Sequence, residues 1–296
     1  MARRGLKTWL LVLVALTLVG AACANDNTNG SGSGSGSGKT LLEDVMASGK
    51  LRVATDPAYP PQSSFDEKSG KWQGFDVDVA GELAKRMGLQ LDFVTPSWDV
   101  ITAGSWNGRW DASVGSMTPI ADRQKVLDFT PAYYFVPAVV VIRNDSDITS
   151  FDQLAGKNVG SCQPCTYSYY LDRSLNIPGY PATFVLPKMS DMTYTGYDTD
   201  TPALENLKLG RLDAVLTSMT TAQAAIDAGD PFKILGDPVF YEPDSIAVDK
   251  SSSADPTTFA QKLSDLVEQM HSDGTLTELS KKWFGGTDLS VSQPNS

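Results

Sequence analysis

Short apolar runs and segments with helical spacing alternate along most of this chain, and this alternation limits the folds open to it. Residues 51–55 and 89–94 have the length and apolar content of buried strands. Between them, residues 75–87 carry apolar side chains every three or four positions, and Gly88 follows as a helix stop. One strand–helix–strand unit is therefore predicted near the start of the chain.

The same alternation continues to the end of the sequence. Further strand-like and helix-like segments lie at 136–142, 159–160, 202–209, 214–216, 257–273 and 276–284. Strands separated by helices are typical of α/β units, whose strands mostly run parallel. We therefore expect an α/β protein with mainly parallel sheets and one large core or two smaller ones.

Residues 110–134 indicate a binding site. An apolar run at 112–114 predicts a short buried strand, after which the chain opens into Ser116 and Thr118, and a helical turn near Ala121 places Arg123 in its first turn. A planar guanidinium beside hydroxyls and free helix-start N–H groups suits a small carboxylate. The spacing alone is equally consistent with Arg123 as a solvated helix residue.

Six blocks of the sequence carry a family resemblance. They are GKLRVATDPAYPP (49–61), GFDVDVAGELAKRMG (74–88), WDASVGSMTPIADRQKVLDFTPAYY (110–134), SFDQLAGKNVG (150–160), LKLGRLDAVL (207–216) and DGTLTELSKKWFG (273–285). In this order they resemble the family 3 extracellular solute-binding proteins of ABC importers, which bind polar amino acids. The resemblance runs from about residue 41 to 286.

The resemblance implies the two-lobed periplasmic-binding-protein fold of type II, with a ligand cleft between lobes joined by two hinge crossings. Lobe 1 would comprise residues 39–134 plus 243–290, and lobe 2 residues 135–242, followed by a tail at 291–296. Ligands of such α/β folds bind at the carboxyl ends of strands, and hinge closure covers them.

For the ligand's side chain, the resemblance implies a pocket of Asp56, Tyr59, Asp76 and Trp98. Two aromatic rings and two carboxylates suit a guanidinium or ammonium group. Asp76 could equally be a helix-start charge that complements the helix dipole. Tyr59 and Trp98 could also be ordinary packed aromatics.

For the ligand's α-amino acid head group, the resemblance implies Ser116, Thr118 and Arg123, with Thr166 capping the carboxylate from lobe 2. The family's ammonium-binding Asp is replaced here by Ser218, which carries no charge. Either Asp198 or Asp200 substitutes for that acid, or the ligand nitrogen is not a free ammonium.

Two cysteines fall in the lobe 2 loop. Cys162 and Cys165 are expected to form a disulfide, because an exported chain in an oxidising compartment tends to pair its cysteines. Thiol–disulfide exchange, free thiols and metal binding are the alternatives, but the sequence offers only one histidine, His271, as a further metal ligand. Neither a metal nor a cofactor is predicted.

The first 38 residues predict export. Residues 1–22 have the basic start, short apolar core and small-residue exit of a signal peptide. Cys23 after Ala-Ala resembles a lipidation site, although Gly20 replaces the usual Leu; ordinary cleavage, giving a secreted or periplasmic soluble protein, is the alternative. The Gly/Ser-rich stretch at 23–38 would then be a flexible tether.

Charge and motifs limit the function. A formal net charge of −11 argues against nucleic acid as a partner. The resemblance implies a monomeric binding protein that delivers a polar amino acid or derivative, with cationic amino acids favoured, to a separate membrane permease. The alternatives are a cyclohexadienyl-dehydratase-like enzyme on the same scaffold, for which no catalytic residue set is found, and the input module of a sensor.

Overall fold

The computed structural model describes residues 38–291. The predicted signal peptide, the lipidation of Cys23 and almost all of the tether lie outside the described residues, as does most of the C-terminal tail. Within the described part, the helices are α1 (Leu41–Ser48), α2 (Phe75–Met87), α3 (Trp98–Thr102), α4 (Thr166–Leu171), α5 (Asp200–Lys208), α6 (Met219–Asp227), α7 (Thr257–Ser272) and α8 (Thr275–Trp283). Three short 3₁₀ turns, Arg123–Lys125, Phe151–Leu154 and Met189–Asp191, complete them.

The strands form one large sheet and one small sheet. They are β1 (Lys50–Ala54), β2 (Ala58–Tyr59), β3 (Ser63–Asp66), β4 (Lys71–Gln73), β5 (Gln90–Val94), β6 (Ala112–Met117), β7 (Leu127–Phe129), β8 (Tyr134–Arg143), β9 (Asn158–Cys162), β10 (Thr193–Tyr197), β11 (Ala214–Ser218) and β12 (Phe232–Asp249). The large sheet has the order β10-β9-β11-β8-β12-β6-β1-β5, with β7 also paired to β12. The small sheet is β2-β3-β4.

Two long strands carry the chain from one lobe to the other. The start of β8 pairs antiparallel with the middle of β12, so that Tyr134 faces Asp244 and Ala138 faces Phe240 across the ladder. The two crossing strands, β8 and β12, are therefore hydrogen-bonded to each other as a two-stranded antiparallel ribbon. A register shift in β12 between Leu235 and Phe240 lies on the lobe 2 side of this ribbon.

Each lobe packs its helices against its own half of the sheet. In lobe 1, Phe75, Val79 and Leu83 of α2 bury one face of that helix against β1, β6 and α7. Gly88 ends α2 in the left-handed conformation, as the sequence predicted. In lobe 2, separate apolar clusters cover the two faces of β8 and β11.

The expectation of mainly parallel sheets was wrong for the centre of the molecule. Strands β1, β5 and β6 run parallel, as do β9, β10 and β11, but β8 and β12 pair antiparallel with their neighbours. A strand that returns through the same ribbon must run against the outgoing strand, whatever the local α/β pattern. The antiparallel sheet β2-β3-β4 and the strand β10 were not predicted.

Candidate functional site

The two lobes enclose a cavity of ≈ 80 Å³ between the ends of β1 and β6 on one side and the starts of α4 and α5 on the other. It is lined by Asp56, Tyr59, Trp98, Gly115, Ser116, Thr118, Arg123, Cys162, Cys165, Thr166, Tyr167, Asp198, Thr199, Asp200, Glu242 and Asp244. Seven of the nine residues predicted to bind ligand line this cavity, and Asp76 and Ser218 do not.

Arg123 is a buried cation without an ionic partner. It begins a 3₁₀ turn and is 6% exposed, and its Nη1 donates to the carbonyl oxygen of Thr118 at 3.0 Å. The guanidinium lies over the Trp98 ring, 5.0 Å from the ring centroid. No carboxylate of the described residues comes within 4.0 Å of it, and burial lowers its pKa. An anion entering the cavity would complete this site.

Glu242 and Asp244 form an acidic floor that the sequence analysis missed. They are two residues apart on β12, so both side chains point to the same face of the strand, and both are buried. Thr118 Oγ1 lies 3.2 Å from Glu242 and 2.9 Å from Asp244. The available signal was their spacing, since two acids two positions apart in a strand share one face.

Thr118 indicates that this pair of acids shares a proton. One hydroxyl carries one hydrogen, so it satisfies both carboxyl groups only if one of them is protonated and donates back to the hydroxyl oxygen. Burial raises the pKa of both acids, and the charge of Glu242 raises the pKa of Asp244 further. Burial therefore favours the neutral form of both acids, and the charge of Glu242 favours it further for Asp244.

Asp200 offers an unused acceptor to the cavity. It is the first residue of α5 and 3% exposed, and its Oδ1 has no hydrogen-bond partner. Burial raises its pKa to about 7, with a contribution from the charge of Glu242. Asp198, the other acid considered as a substitute at the sequence level, also lines the cavity but is exposed.

Asp76 lies away from the cavity that it was expected to line. Its carboxylate accepts hydrogen bonds from the Tyr133 hydroxyl at 2.7 Å and from Ser116 Oγ at 2.8 Å. The Ser116 N–H donates to the same Tyr133 hydroxyl at 2.9 Å. Ser116 has a left-handed backbone, with φ of 52°, which is costly for a residue with a side chain. Asp76 thus holds Ser116 in place at the cavity wall.

Ser218 serves as a helix cap. It is fully buried, and its hydroxyl accepts a hydrogen bond from the Thr221 N–H at 3.1 Å at the start of α6. The Ser218 hydroxyl therefore does not take the place of the family's carboxylate in the cavity, which Ser218 does not line. Asp200 lines the cavity from the start of α5.

The lobe 2 loop closes the cavity from the opposite side. Cys162 and Cys165 form the disulfide expected from the sequence, and both line the cavity. Trp98 Nε1 of lobe 1 donates to the carbonyl oxygen of Pro164 at 3.2 Å, and the Thr166 hydroxyl bonds to Glu242. A further bond from Gln62 Nε2 to Thr220 Oγ1, at 2.5 Å, joins the lobes. The structure therefore shows a cleft that is closed over its cavity.

The described residues offer neither a metal site nor a membrane-spanning helix. Residues 38–291 contain no cluster of three or more side chains that could hold a metal ion. None of the helices described is both long and apolar enough to cross a membrane.

Comparison with known proteins gives one consistent result. Residues 51–286 match the bacterial extracellular solute-binding proteins, family 3. The chain is 29% identical over 248 residues to the L-cystine-binding protein TcyJ of Escherichia coli K12, covering 83% of this chain and 86% of that protein. It is 30% identical over 258 residues to the L-cystine-binding protein TcyA of Bacillus subtilis 168, covering 83% and 85%.

A solved structure agrees with these relatives. An ancestral arginine-binding protein bound to arginine superposes with a TM-score of 0.69 at 30% identity, covering 80% of this chain and 99% of that chain. The matched proteins are binding proteins rather than enzymes. The chain therefore belongs to the bacterial extracellular solute-binding proteins of family 3 and acts outside the cytoplasm.

Proposed function

We propose that this protein is the substrate-binding component of an ABC importer and that it captures a polar α-amino acid as a zwitterion. The observation that carries the proposal is a pair of unused groups in one cavity: the unpaired guanidinium of Arg123 and the unpartnered Oδ1 of Asp200. They belong to different lobes, so a ligand that contacts both would hold the cleft closed.

The head group of an α-amino acid complements these two residues. A carboxylate pairs with a guanidinium through two parallel hydrogen bonds, and an ammonium group donates to a carboxylate. Buried charges are costly until they are paired, so both residues favour a ligand that supplies the two opposite charges together. Cystine and arginine, the ligands in the names of the relatives, both have this head group.

Other residues that the sequence predicted to bind ligand lie around Arg123 and Asp200 in the same cavity. Thr166 and Ser116 line the same cavity, where their hydroxyls donate to Glu242 and Asp76, and Trp98 packs against Arg123. Asp56 and Tyr59 also line this cavity. Asp200 takes the role that the sequence analysis left open between Asp198, Asp200 and a modified ligand nitrogen.

We further propose how the two lobes, the permease and the membrane anchor are arranged. The lobes comprise residues 39–134 plus 243–290 and residues 135–242, and they close on the ligand as a monomer that docks on a membrane permease. Lipidation of Cys23 would tether this head to the outer face of the membrane through the Gly/Ser-rich segment. Mass spectrometry of the membrane-extracted protein tests the lipid, because a diacylglyceryl group adds a defined mass to Cys23.

Calorimetric titration tests the binding function. The purified protein is unfolded and refolded to remove carried-over ligand, then titrated with the common L-amino acids. We expect saturable binding of at least one polar amino acid, weakened at least ~30-fold in Arg123→Gln, because removing one member of a buried charge pair costs ~2–5 kcal/mol.

Lys125→Gln is the matched control. It removes a positive charge two residues away on the same turn, but the Lys125 ammonium is exposed and pairs only with Asp122. Its affinity should equal that of the unmodified protein. Equal affinity in Arg123→Gln, or an absence of heat with every amino acid, would refute the proposal.

A further inference from the structure

The Cys162–Cys165 disulfide forms part of the wall of the cleft. Both cysteines line the cavity of ≈ 80 Å³ beside Arg123 (the head-group cavity). The two residues between them, Gln163 and Pro164, line an adjoining cavity of ≈ 390 Å³. Every residue of the short ring that this disulfide closes therefore borders the space in which a ligand would lie.

The sulfur–sulfur bond joins the two ends of this turn. Cys162 is the last residue of β9, and Cys165 directly precedes α4. The Cys165 N–H donates to Ser168 Oγ inside α4 at 3.1 Å, and Pro164 has no N–H to donate. A backbone hydrogen bond of 2.7 Å from the Gln163 N–H to β10 anchors the tip of the turn. Breaking the disulfide would therefore free Pro164 and Cys165 to move relative to β9.

The same turn contacts the groups of the proposed ligand site. The Pro164 carbonyl oxygen accepts a hydrogen bond from Trp98 Nε1 at 3.2 Å, and the Trp98 ring lies 5.0 Å from the Arg123 guanidinium. Thr166, the first residue of α4, bonds through its hydroxyl to Glu242 of the acidic floor. A shift of this turn would therefore change the surroundings of both the carboxylate receptor and the acidic floor.

Cys162 is the more accessible half of the disulfide. Cys165 is 7% exposed, whereas Cys162 is only partly buried and is followed by the exposed Gln163. An attacking thiolate would bond to the Cys162 sulfur as the bond to Cys165 breaks, and Cys165 would leave as a thiolate and take up a proton. The second thiol of a dithiol then displaces Cys162, so two electrons and two protons pass to the protein and the dithiol becomes a cyclic disulfide.

We infer that the Cys162–Cys165 disulfide is a thiol–disulfide exchange site whose co-reactant is a dithiol, and that the oxidised protein binds its ligand more tightly than the reduced protein. This linkage rests on the proposed function, because the ligand must lie at Arg123 to contact this wall. Linkage is reciprocal, so a ligand that prefers the oxidised protein also makes the disulfide harder to reduce by the same factor.

The test measures ligand affinity and reduction potential on the full chain. The probes are the common L-amino acids except cysteine, which would itself exchange with the disulfide; they are titrated singly for affinity and mixed for the potential. Equilibration in reduced and oxidised dithiothreitol, followed by thiol alkylation and mass spectrometry, gives the midpoint potential. We expect the reduced protein to bind at least about tenfold more weakly, and the saturating mixture to lower the potential by at least ~30 mV, the same factor for a two-electron couple.

A double substitution shows that the effect arises at this disulfide. Cys162→Ser with Cys165→Ser removes the bond and keeps Cys23. It should bind the probes as weakly as the reduced protein and should not respond to dithiothreitol. So short a ring constrains the unfolded chain less than a long one, so we expect both the variant and the reduced protein to stay folded, which thermal unfolding checks.

Trp98→Phe tests whether the turn acts through its contact across the cleft. It keeps an aromatic ring at Arg123 but loses the N–H that bonds to Pro164, so the affinity ratio of oxidised to reduced protein should fall towards one. Trp283→Phe is the matched control, because the Trp283 indole N–H bonds to Asp78 at 2.6 Å and neither residue lines either cavity. Its ratio should equal that of the parent.

Each outcome supports or overturns a stated part of the inference. Equal affinities of the oxidised and reduced protein, or a potential unchanged by the probes, overturn the linkage while the proposed function stands. Reduced protein that unfolds also overturns it, because the disulfide would then serve stability and not the cleft. Failure of dithiothreitol to reduce the folded protein overturns the exchange site. If no amino acid binds the oxidised protein, the proposed function fails, and the linkage fails with it.

Discussion

Asp200→Asn should stabilise the empty protein and weaken ligand binding, two effects of opposite sign from one substitution. The Asp200 carboxyl is 3% exposed, its Oδ1 has no partner, and burial raises its pKa to about 7 from the ordinary 3.8. The folded protein therefore resists ionisation of this group, whereas the unfolded chain ionises it freely. An amide of the same shape removes that conflict.

The magnitude follows from the pKa difference. A folded-state pKa raised above the unfolded value makes stability fall as pH rises from about 4 to about 7. Taking the pKa of about 7, the cost at pH 8 is ~4 kcal/mol at 1.36 kcal/mol per pH unit, whereas at pH 5 it is ~2 kcal/mol. For a chain of this size ~4 kcal/mol corresponds to a rise in Tm of roughly 8–16 °C.

The cost in binding comes from the lost charge. Hydrogen bonds to a charged group contribute ~1.5–3 kcal/mol, so the affinity of Asp200→Asn should fall roughly 10- to 150-fold. Binding an ammonium group also fixes Asp200 in its ionised form, which releases a proton below pH 7. The unmodified protein should therefore bind less tightly as pH falls, and the variant should release fewer protons, with Glu242 and Asp244 as the remaining titrating acids.

Two measurements check these effects. Thermal unfolding of the ligand-free protein at pH 5 and pH 8 gives the stability difference, and calorimetry at pH 6 in two buffers of different ionisation enthalpy gives the affinity and the protons released. Asp147→Asn, an exposed carboxylate in the same lobe, is the matched control and should leave both quantities unchanged. An Asp200→Asn protein that melts lower at pH 8, or that binds as tightly as the parent, would show that the carboxylate is not the unpaired group we describe.

Two further predictions concern backbone and capping. Gly74→Ala should destabilise the protein by at least roughly 1–3 kcal/mol, because φ is 137° there and a Cβ would lie 2.2 Å from the Gln62 carbonyl oxygen; equal urea midpoints for both proteins would contradict this. Ser218→Ala should lower stability by ~0.5–2 kcal/mol through loss of the cap on Thr221, yet leave the Kd unchanged; a weakened Kd in a variant that still folds would restore Ser218 to the binding site.

Local sequence patterns predicted the parts of the fold that depend on neighbouring residues. The helix at Phe75–Met87 and its stop at Gly88 follow from spacing and from the left-handed conformation that glycine tolerates. The mixed sheet did not follow, because the pairing of Asp244 with Tyr134 joins residues far apart in the chain. No window of a few residues contains both partners.

The residues of the candidate site show the same difference between features set by neighbouring residues and features set by residues far apart in the chain. Arg123, Thr118 and Ser116 come from one short segment, whose chemistry suits an anion although its spacing fits a solvated Arg123 equally well. Glu242 was missed because it reaches the cavity through the long crossing strand β12.

The sequence by itself determined the α/β pattern and, through the family resemblance, the solute-binding class, and it predicted Arg123 as a receptor for a carboxylate. Only the tertiary structure decided which buried acids are hydrogen-bonded within the protein and which keep an acceptor open to the cavity. Asp76 is bound to Tyr133 and Ser116, whereas Asp200 keeps a free acceptor in the cavity. Both are buried carboxylates at helix starts, so composition and spacing cannot distinguish them. Their roles differ because different hydrogen-bond donors, distant in sequence, surround each one after folding.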